Sequence, residues 1–185
     1  MAFSVSEFAA AGLPYGGARP SYFRVLLTTP AGIPNVTERM SFTCKAASAP
    51  PSNLSTVAVK YFGRDTKFAG TRTFAPWSVT ILNDEDMPVR HALEVWSNAI
   101  NSHEGNLRDR GLALPAQYRT VATVNQYSKV GDIIRSYEMV NLWPSEVGPM
   151  ELNWENADQV QEFNVTFEYD FWKPGIPGTT GTFAV

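Results

Sequence analysis

The sequence predicts a mainly β domain carrying one helix. Three observations predict it. Apolar residues recur at every second position through most of the chain, one segment switches to helical spacing, and Gly, Pro and Asn clusters punctuate the runs. The clearest alternation lies near the C-terminus. Phe163, Val165, Phe167, Tyr169 and Phe171 fall on one face, and Glu162, Asn164, Thr166, Glu168 and Asp170 on the other. A slip of one residue would exchange these faces, so the pairing of this segment is strongly specified. With 185 residues the chain has the length of one domain that can bury a core without staples.

Taken in order, residues 1–20 hold Pro14, Gly16, Gly17 and Pro20 and read as an arm. Residues 22–28 are a strand candidate, followed by an irregular stretch with Pro30, Gly32 and Pro34. Residues 38–46 are expected to be a strand, because Met40, Phe42 and Cys44 alternate with Ser41, Thr43 and Lys45. Runs at 54–62 and 67–74 flank Gly63-Arg64-Asp65 and predict a long projecting hairpin, which in isolation would be marginal in water and so should lean on a partner. Trp77, Val79 and Ile81 alternate with Ser78 and Thr80 in a strand at 77–82.

The helix is expected at about 87–102. Pro88 suits its first turn, Asp84-Glu85-Asp86 lies near its positive end, and Val89, Leu93, Trp96 and Ile100 recur at helical spacing. The polar run 102–117 reads as a loop, and strands are expected at 118–127 and 133–142. Apolar groups on both faces of 133–142 imply cover from two sides, by a helix or a neighbouring subunit. Residues 160–172 would extend about 40 Å at ~3.3 Å per residue, so this strand bends at a bulge or reaches beyond its own sheet. Residues 173–185, rich in Pro, Gly and Thr, read as a flexible tail.

Composition removes several function classes. A formal net charge of −3 and the lack of a basic run leave no excess of basic residues for gripping phosphate. The charged fraction of 18% lies below the ~25% of ordinary soluble domains, and many aromatics accompany it, which hints at surface covered by partners. Cys44 is the single cysteine, expected to act as a small buried hydrophobe. His91 and His103 are too far apart for an i,i+4 metal pair, and there is no Gly-x-Ser-x-Gly elbow or phosphate-binding glycine loop. Asp84-Glu85-Asp86 is accounted for by the helix end, and a Glu168/Asp170 carboxylate pair would need a sugar cleft with a second wall. The five tryptophans lack the basic interleaving of a nucleic-acid platform and fit core and subunit packing. No cofactor, metal or catalytic residue is expected. The first dozen residues lack a secretory pattern and no apolar run is long enough to span a bilayer, so the chain is expected to be made in the cytoplasm and held there until assembly.

Four motifs, in order, carry a family resemblance. They are Phe42-Thr43-Cys44-Lys45-Ala46, the run Phe68-Ala69-Gly70-Thr71-Arg72-Thr73-Phe74-Ala75-Pro76-Trp77 continuing to Asn83-Asp84-Glu85, Leu142-Trp143-Pro144-Ser145-Glu146-Val147-Gly148 with Leu152-Asn153-Trp154, and the closing strand through Trp172. Together they resemble the tail tube proteins of contractile-tailed bacteriophages, related in architecture to the type VI secretion tube protein. The resemblance covers roughly residues 20–172 and departs from the family at the arm, the 29–36 turn and the tail.

It implies two packed antiparallel sheets forming a small barrel or sandwich at 21–172, flanked by the helix and the hairpin at about 54–74. It implies a non-enzymatic virion protein whose hexameric rings stack inside a sheath as a conduit for genome ejection, with sheath, baseplate and terminator partners, double-stranded DNA passing through, and no membrane insertion. On that reading Val57, Val59, Tyr61, Arg64, Phe68 and Arg72 are candidate subunit-interface residues, and Glu162, Glu168 and Asp170 candidate lumen-facing residues. The alternatives are the tube protein of another contractile injection system, or a carbohydrate-binding sandwich on a virion.

Overall fold

The computed structural model describes residues 5–155 and 158–175. Its strands are β1 (Phe23–Leu27), β2 (Cys44–Ala47), β3 (Asn53–Tyr61), β4 (Arg64–Thr73), β5 (Trp77–Leu82), β6 (Thr120–Tyr127), β7 (Ile133–Val147), β8 (Glu162–Glu168) and β9 (Phe171–Gly175). The helices are α1 (Val5–Glu7), continued by a π-helical stretch at Phe8–Gly12 within the expected arm, α2 (Thr37–Thr43), α3 (Pro88–Ile100) and α4 (Pro115–Tyr118).

Two antiparallel sheets build the body, and β7 belongs to both. Its first part sits between β6 and β9 in the order β1-β6-β7-β9, and its last residues pair with β8 in the order β2-β5-β8-β7. The switch occurs at Asn141. Thr120 opposes Leu142 and Val121 opposes Val140, so Asn141 is an extra residue on β7, and its φ of 60° is left-handed. Such a bulge turns the strand, and asparagine tolerates the conformation better than most residues. The Asn141 amide donates to Asp170 Oδ2 at 2.7 Å, and Asp170 N donates to Val140 O at 3.1 Å, which fastens the β8–β9 crossover to the same corner. Pro144, which has no N–H to donate, lies on the part of β7 that forms the edge of the second sheet.

The core lies between the sheets. Val25, Leu27, Trp77, Val79, Ile81, Ala122, Met139, Leu142, Phe163, Val165 and Phe167 are buried, as the alternation predicts for β5 and β8. Helix α3 buries Val89, Ala92, Leu93 and Trp96 and packs on β7, the helical cover expected for that strand. The Trp96 indole donates to Tyr118 O at 3.0 Å, so its buried N–H is satisfied.

Three expectations are corrected. Residues 38–46 are not a strand: Thr37–Thr43 is helix α2, and only Cys44–Ala47 is extended. Of Met40, Phe42 and Cys44 only Met40 is fully buried, and Val36 joins it one helical turn earlier. Asn35 Oδ1 accepts from Thr37 N at 3.0 Å at the helix start, and the Ser41 and Thr43 hydroxyls bond back to Glu38 O and Arg39 O. The alternation of 38–46 was thus coincident with an i,i+4 pair. The 160–172 run is two strands, because the chain leaves one sheet at Tyr169–Asp170 and enters the other. The strand β9 then continues through Lys173 to Gly175, three residues into the segment read as a tail; residues 176–185 lie outside the described residues. The 102–117 loop contains a short turn at Arg110–Leu112 and the start of α4, with Leu112 buried.

Candidate assembly interface

The predicted hairpin is present over 53–73 where 54–74 was expected, and its tip is Phe62–Gly63 in place of the expected Gly63-Arg64-Asp65, because Arg64 and Asp65 already pair with Tyr61 and Lys60. The strands β3 and β4 pair from Asn53↔Thr73 to Tyr61↔Arg64, so only Phe62 and Gly63 turn the chain. Both have positive φ, 45° and 78°. Two left-handed residues give the mirror-image turn whose twist matches that of the flanking strands, a place usually held by Asn, Asp or Gly. A phenylalanine there is unusual. Phe62 is 90% exposed, and its ring meets Tyr61 edge-on at 4.6 Å.

The two strands form a sheet of their own, and every residue of them is exposed except Gly70, which is half-buried. The register puts Val57 opposite Phe68, Val59 opposite Thr66 and Tyr61 opposite Arg64. Directly opposed residues point to the same side of a two-stranded sheet. Five of the six candidate interface residues, Val57, Val59, Tyr61, Arg64 and Phe68, therefore share one face, and the register places Lys60 and Lys67 on the other. Arg72 stands apart at the base, where it donates to Ser52 Oγ at 2.5 Å.

At its root the hairpin is fastened to the body by two indoles. Trp77 Nε1 donates to Ser48 O at 2.8 Å and Trp172 Nε1 to Pro51 O at 3.1 Å. Trp172 also stacks edge-on against Tyr137 at 5.6 Å. Sequence reading assigned the tryptophans to packing and missed this clamp. The usable signal was the indole N–H itself, which needs an acceptor when its ring is buried.

The candidate lumen residues fall in two places. Glu162 and Glu168 lie on the outward side of β8, at its two ends, while Asp170 sits in the crossover to β9. Between the glutamates the surface is polar but uncharged: Thr80 donates to Asn164 Oδ1 at 2.8 Å, and the Ser78 and Thr166 hydroxyls are 3.4 Å apart. Glu162 pairs with Lys45. Asp170 accepts from Arg119 at 3.3 Å as well as from Asn141.

The acidic cluster ahead of α3 has a structural partner. Arg39 on α2 bridges Asp84 at 3.0 Å and Asp86 at 3.6 Å, which adds an inter-helix tie to the role expected for the acidic cluster. Burial pushes the Cys44 thiol up to about 12, although a contact with Ala46 O at 3.6 Å opposes it, so the thiol stays protonated at neutral pH. Among the described residues no group of His, Cys, Asp and Glu side chains is placed to hold a metal ion, and no helix is long and apolar enough to cross a membrane.

With the geometry in place, comparison with known proteins points one way. A family model described as phage tail tube protein matches residues 18–174. The chain is 32% identical over 157 residues to the tail tube protein gp19 of Enterobacteria phage T4, covering 84% of this chain and 91% of that protein. It is 24% identical over 169 residues to the tail tube protein of Serratia phage KSP90, covering 90% and 94%. Among solved structures, the anti-feeding prophage tube-terminating cap superposes with a TM-score of 0.63 at 15% identity, covering 86% of this chain and 91% of that one. The sheath-tube complex of the PVC extracellular contractile injection system gives 0.59 at 13% identity, covering 95% and 99%.

Proposed function

This chain belongs to the phage tail tube protein family, and from that premise we propose that its copies close into hexameric rings that stack through the β3–β4 hairpin. It is a structural component of the virion tail, and the ring-and-stack reading gives that role its mechanics. A ring needs a heterologous contact that closes by rotation; a tube needs another that does not close. The observation that carries the reading is the hairpin, two long strands whose apolar face is left to water. Fully burying a large aliphatic or aromatic side chain stabilises by about 1.5–3 kcal/mol. Val57, Val59, Tyr61 and Phe68 are roughly half to two-thirds exposed, so a partner stands to gain on the order of 4 kcal/mol per copy before association costs.

The tube works without catalysis, as a conduit for double-stranded DNA leaving the virion, inside a sheath and between a baseplate and a terminator. It is assembled in the host cytoplasm and inserts into no membrane. A duplex carries about one negative charge per 1.7 Å, so a basic lumen would retain it. An outward β8 surface bearing Glu162, Glu168 and neutral Asn and Thr side chains would let it slide, with Asp170 adding negative charge at one end. A lumen lined chiefly by Lys and Arg in an assembled tube would overturn that part.

The test of stacking replaces Val57, Val59 and Tyr61 together by Asp. The expected product keeps the circular dichroism and melting of the wild-type subunit but forms no rods by sedimentation and negative-stain microscopy. Tubes of normal length from this variant would overturn the proposal.

A further inference from the structure

The arm and the tip of the β6–β7 pair enclose a groove between them. Its volume is about 540 Å³, and Leu13, Pro14, Tyr127, Val130 and Ile134 form much of its wall. The two segments meet closely at Gly16, where an added Cβ would stand 2.9 Å from Lys129 Nζ. Gly16 and Gly17 turn the arm there with left-handed φ of 73° and 76°. Arg19 and Lys129 are the charged residues of the lining, and no acid belongs to it. Neither cation forms an ion pair among the described residues. Val130 is 85% exposed, so the groove is apolar, basic at its rim and uncovered.

The other end of β7 carries the complement. Residues 148–161, between β7 and β8, include Glu151, Glu155 and Asp158 and no basic residue. Their base is pinned to the body: Gly148 N donates to Asn164 O at 2.8 Å, Arg90 to Gly148 O at 3.0 Å, and Asn83 Nδ2 to Gln161 Oε1 at 3.0 Å. Farther out, Glu155 N donates to Asn153 Oδ1 at 3.0 Å, a local turn around Trp154. Leu152 is 83% exposed and Trp154 completely so. Tryptophan is the residue most enriched, with Tyr and Arg, among those that dominate binding at interfaces. At ~3.3 Å per residue β7 runs about 26 Å from Ile133 to the bulge at Asn141 and about 20 Å on to Val147. The pinned segment therefore stands away from the groove of its own copy.

We propose that Leu152 and Trp154 of one copy seat in the groove between arm and β6–β7 tip of its neighbour in the ring. The inference rests on the ring reading above and assigns the contact that closes it. Groove and acidic segment are different surfaces of one chain, as a heterologous contact requires, and each copy offers one of each to its two neighbours. The bulge at Asn141 turns the first half of β7 out of the direction of β5, at whose start the hairpin is rooted, so the contact adds copies beside one another. Glu151 and Glu155 flank the two apolar side chains and meet Arg19 and Lys129 at the groove rim, which orients the approach and weakens with added salt.

The test uses the full-length chain. Leu152→Ser with Trp154→Ser is expected to raise the protein concentration needed for rods at least tenfold. Both side chains are exposed, so the melting midpoint of the subunit should move by no more than about 2 °C. A second variant, Val130→Cys with Glu155→Cys, keeps both anchors and reports the contact directly. Treated as rods with a short bifunctional thiol reagent, it should give a ladder on a denaturing gel that stops at six copies. Either single cysteine variant should give none, as should the parent chain, whose Cys44 thiol stays protonated. Undiminished assembly of the serine variant, the absence of a ladder from rods of the double cysteine variant, or a ladder running past six would each overturn the contact. Wild-type rods without sixfold cross-sections in electron micrographs would instead remove the ring reading on which it rests.

Discussion

The β5–β8 pair buries Trp77, Val79 and Ile81 against Phe163, Val165 and Phe167 and turns a hydroxyl- and amide-rich face outward, whereas β3–β4, the longer pair, buries neither face. Both pairs are antiparallel and both interleave β-branched and aromatic residues with polar ones. The difference lies in what stands opposite. In the body each apolar face meets a second sheet or α3. Among the described residues both faces of the hairpin stay exposed beyond its clamped root. Apolar patterning without an intramolecular partner marks surface meant for another molecule, and a two-stranded ribbon is at best marginally stable in water.

The largest difference between the two pairs is expected on removing one large side chain from each. Phe167 is fully buried and its ring lies 5.7 Å from that of Trp77. Phe167→Ala should cost about 3–5 kcal/mol, the lost transfer energy plus the cavity. Phe68→Ala, on the exposed hairpin, should cost the subunit less than about 1 kcal/mol and act on assembly instead. Chemical denaturation of the two unassembled variants measures both, and equal losses would end the distinction.

An intermediate effect is expected at the join between the two regions. Trp172→Phe keeps most of the ring that stacks on Tyr137 and deletes the donor to Pro51 O. The loss should be about 1 kcal/mol in the subunit, typical of one hydrogen bond. Amide exchange in residues 53–73 should quicken more than in β5 or β8, because the hairpin would be released at its root while the core stays closed. Uniform quickening throughout the molecule would show that the clamp serves the whole fold.

Legibility followed the same division. Wherever an apolar face met the core, period two gave the strand and its inward side, as in β5 and β8, and period 3.6 gave α3. The hairpin was legible from Gly63 and the runs beside it. Residues 38–46 misled because Met40 serves equally as a strand or a helix position, and the deciding groups were Asn35, whose carboxamide meets the helix start, and Val36 one turn earlier. The β8–β9 break was hidden because Tyr169 continues the inward alternation to the last residue before the crossover, while its cause, the turned corner at Asn141, lies about thirty positions away. The length of 160–172 already demanded a bend or a reach beyond one sheet; the place of the change, which depends on a distant bulge, was not legible. Of the candidate interface residues five fall on one face, because cross-strand pairing follows directly from the turn position. Arg72 goes to the root, since Ser52 is its neighbour across the base. For Glu162, Glu168 and Asp170 the sequence carried the alternation but not the different surroundings of Asp170 at the crossover.

The smallest expected effect on stability bears most directly on what the hairpin tip is for. Phe62 holds a left-handed φ of 45° with its ring in water, a combination that helps neither the turn nor the core. Asparagine fits that conformation better, so Phe62→Asn should leave the subunit unchanged or more stable by up to about 1 kcal/mol, judged by thermal melting. Assembly should move the other way, with a several-fold rise in the protein concentration needed for rods, because an aromatic kept at a strained, exposed position is there for a surface outside the chain. If the variant melts higher and polymerises as readily as wild type, the ring at the tip contributes to no contact, and the hairpin's contact lies along its Val57–Val59–Phe68 face instead.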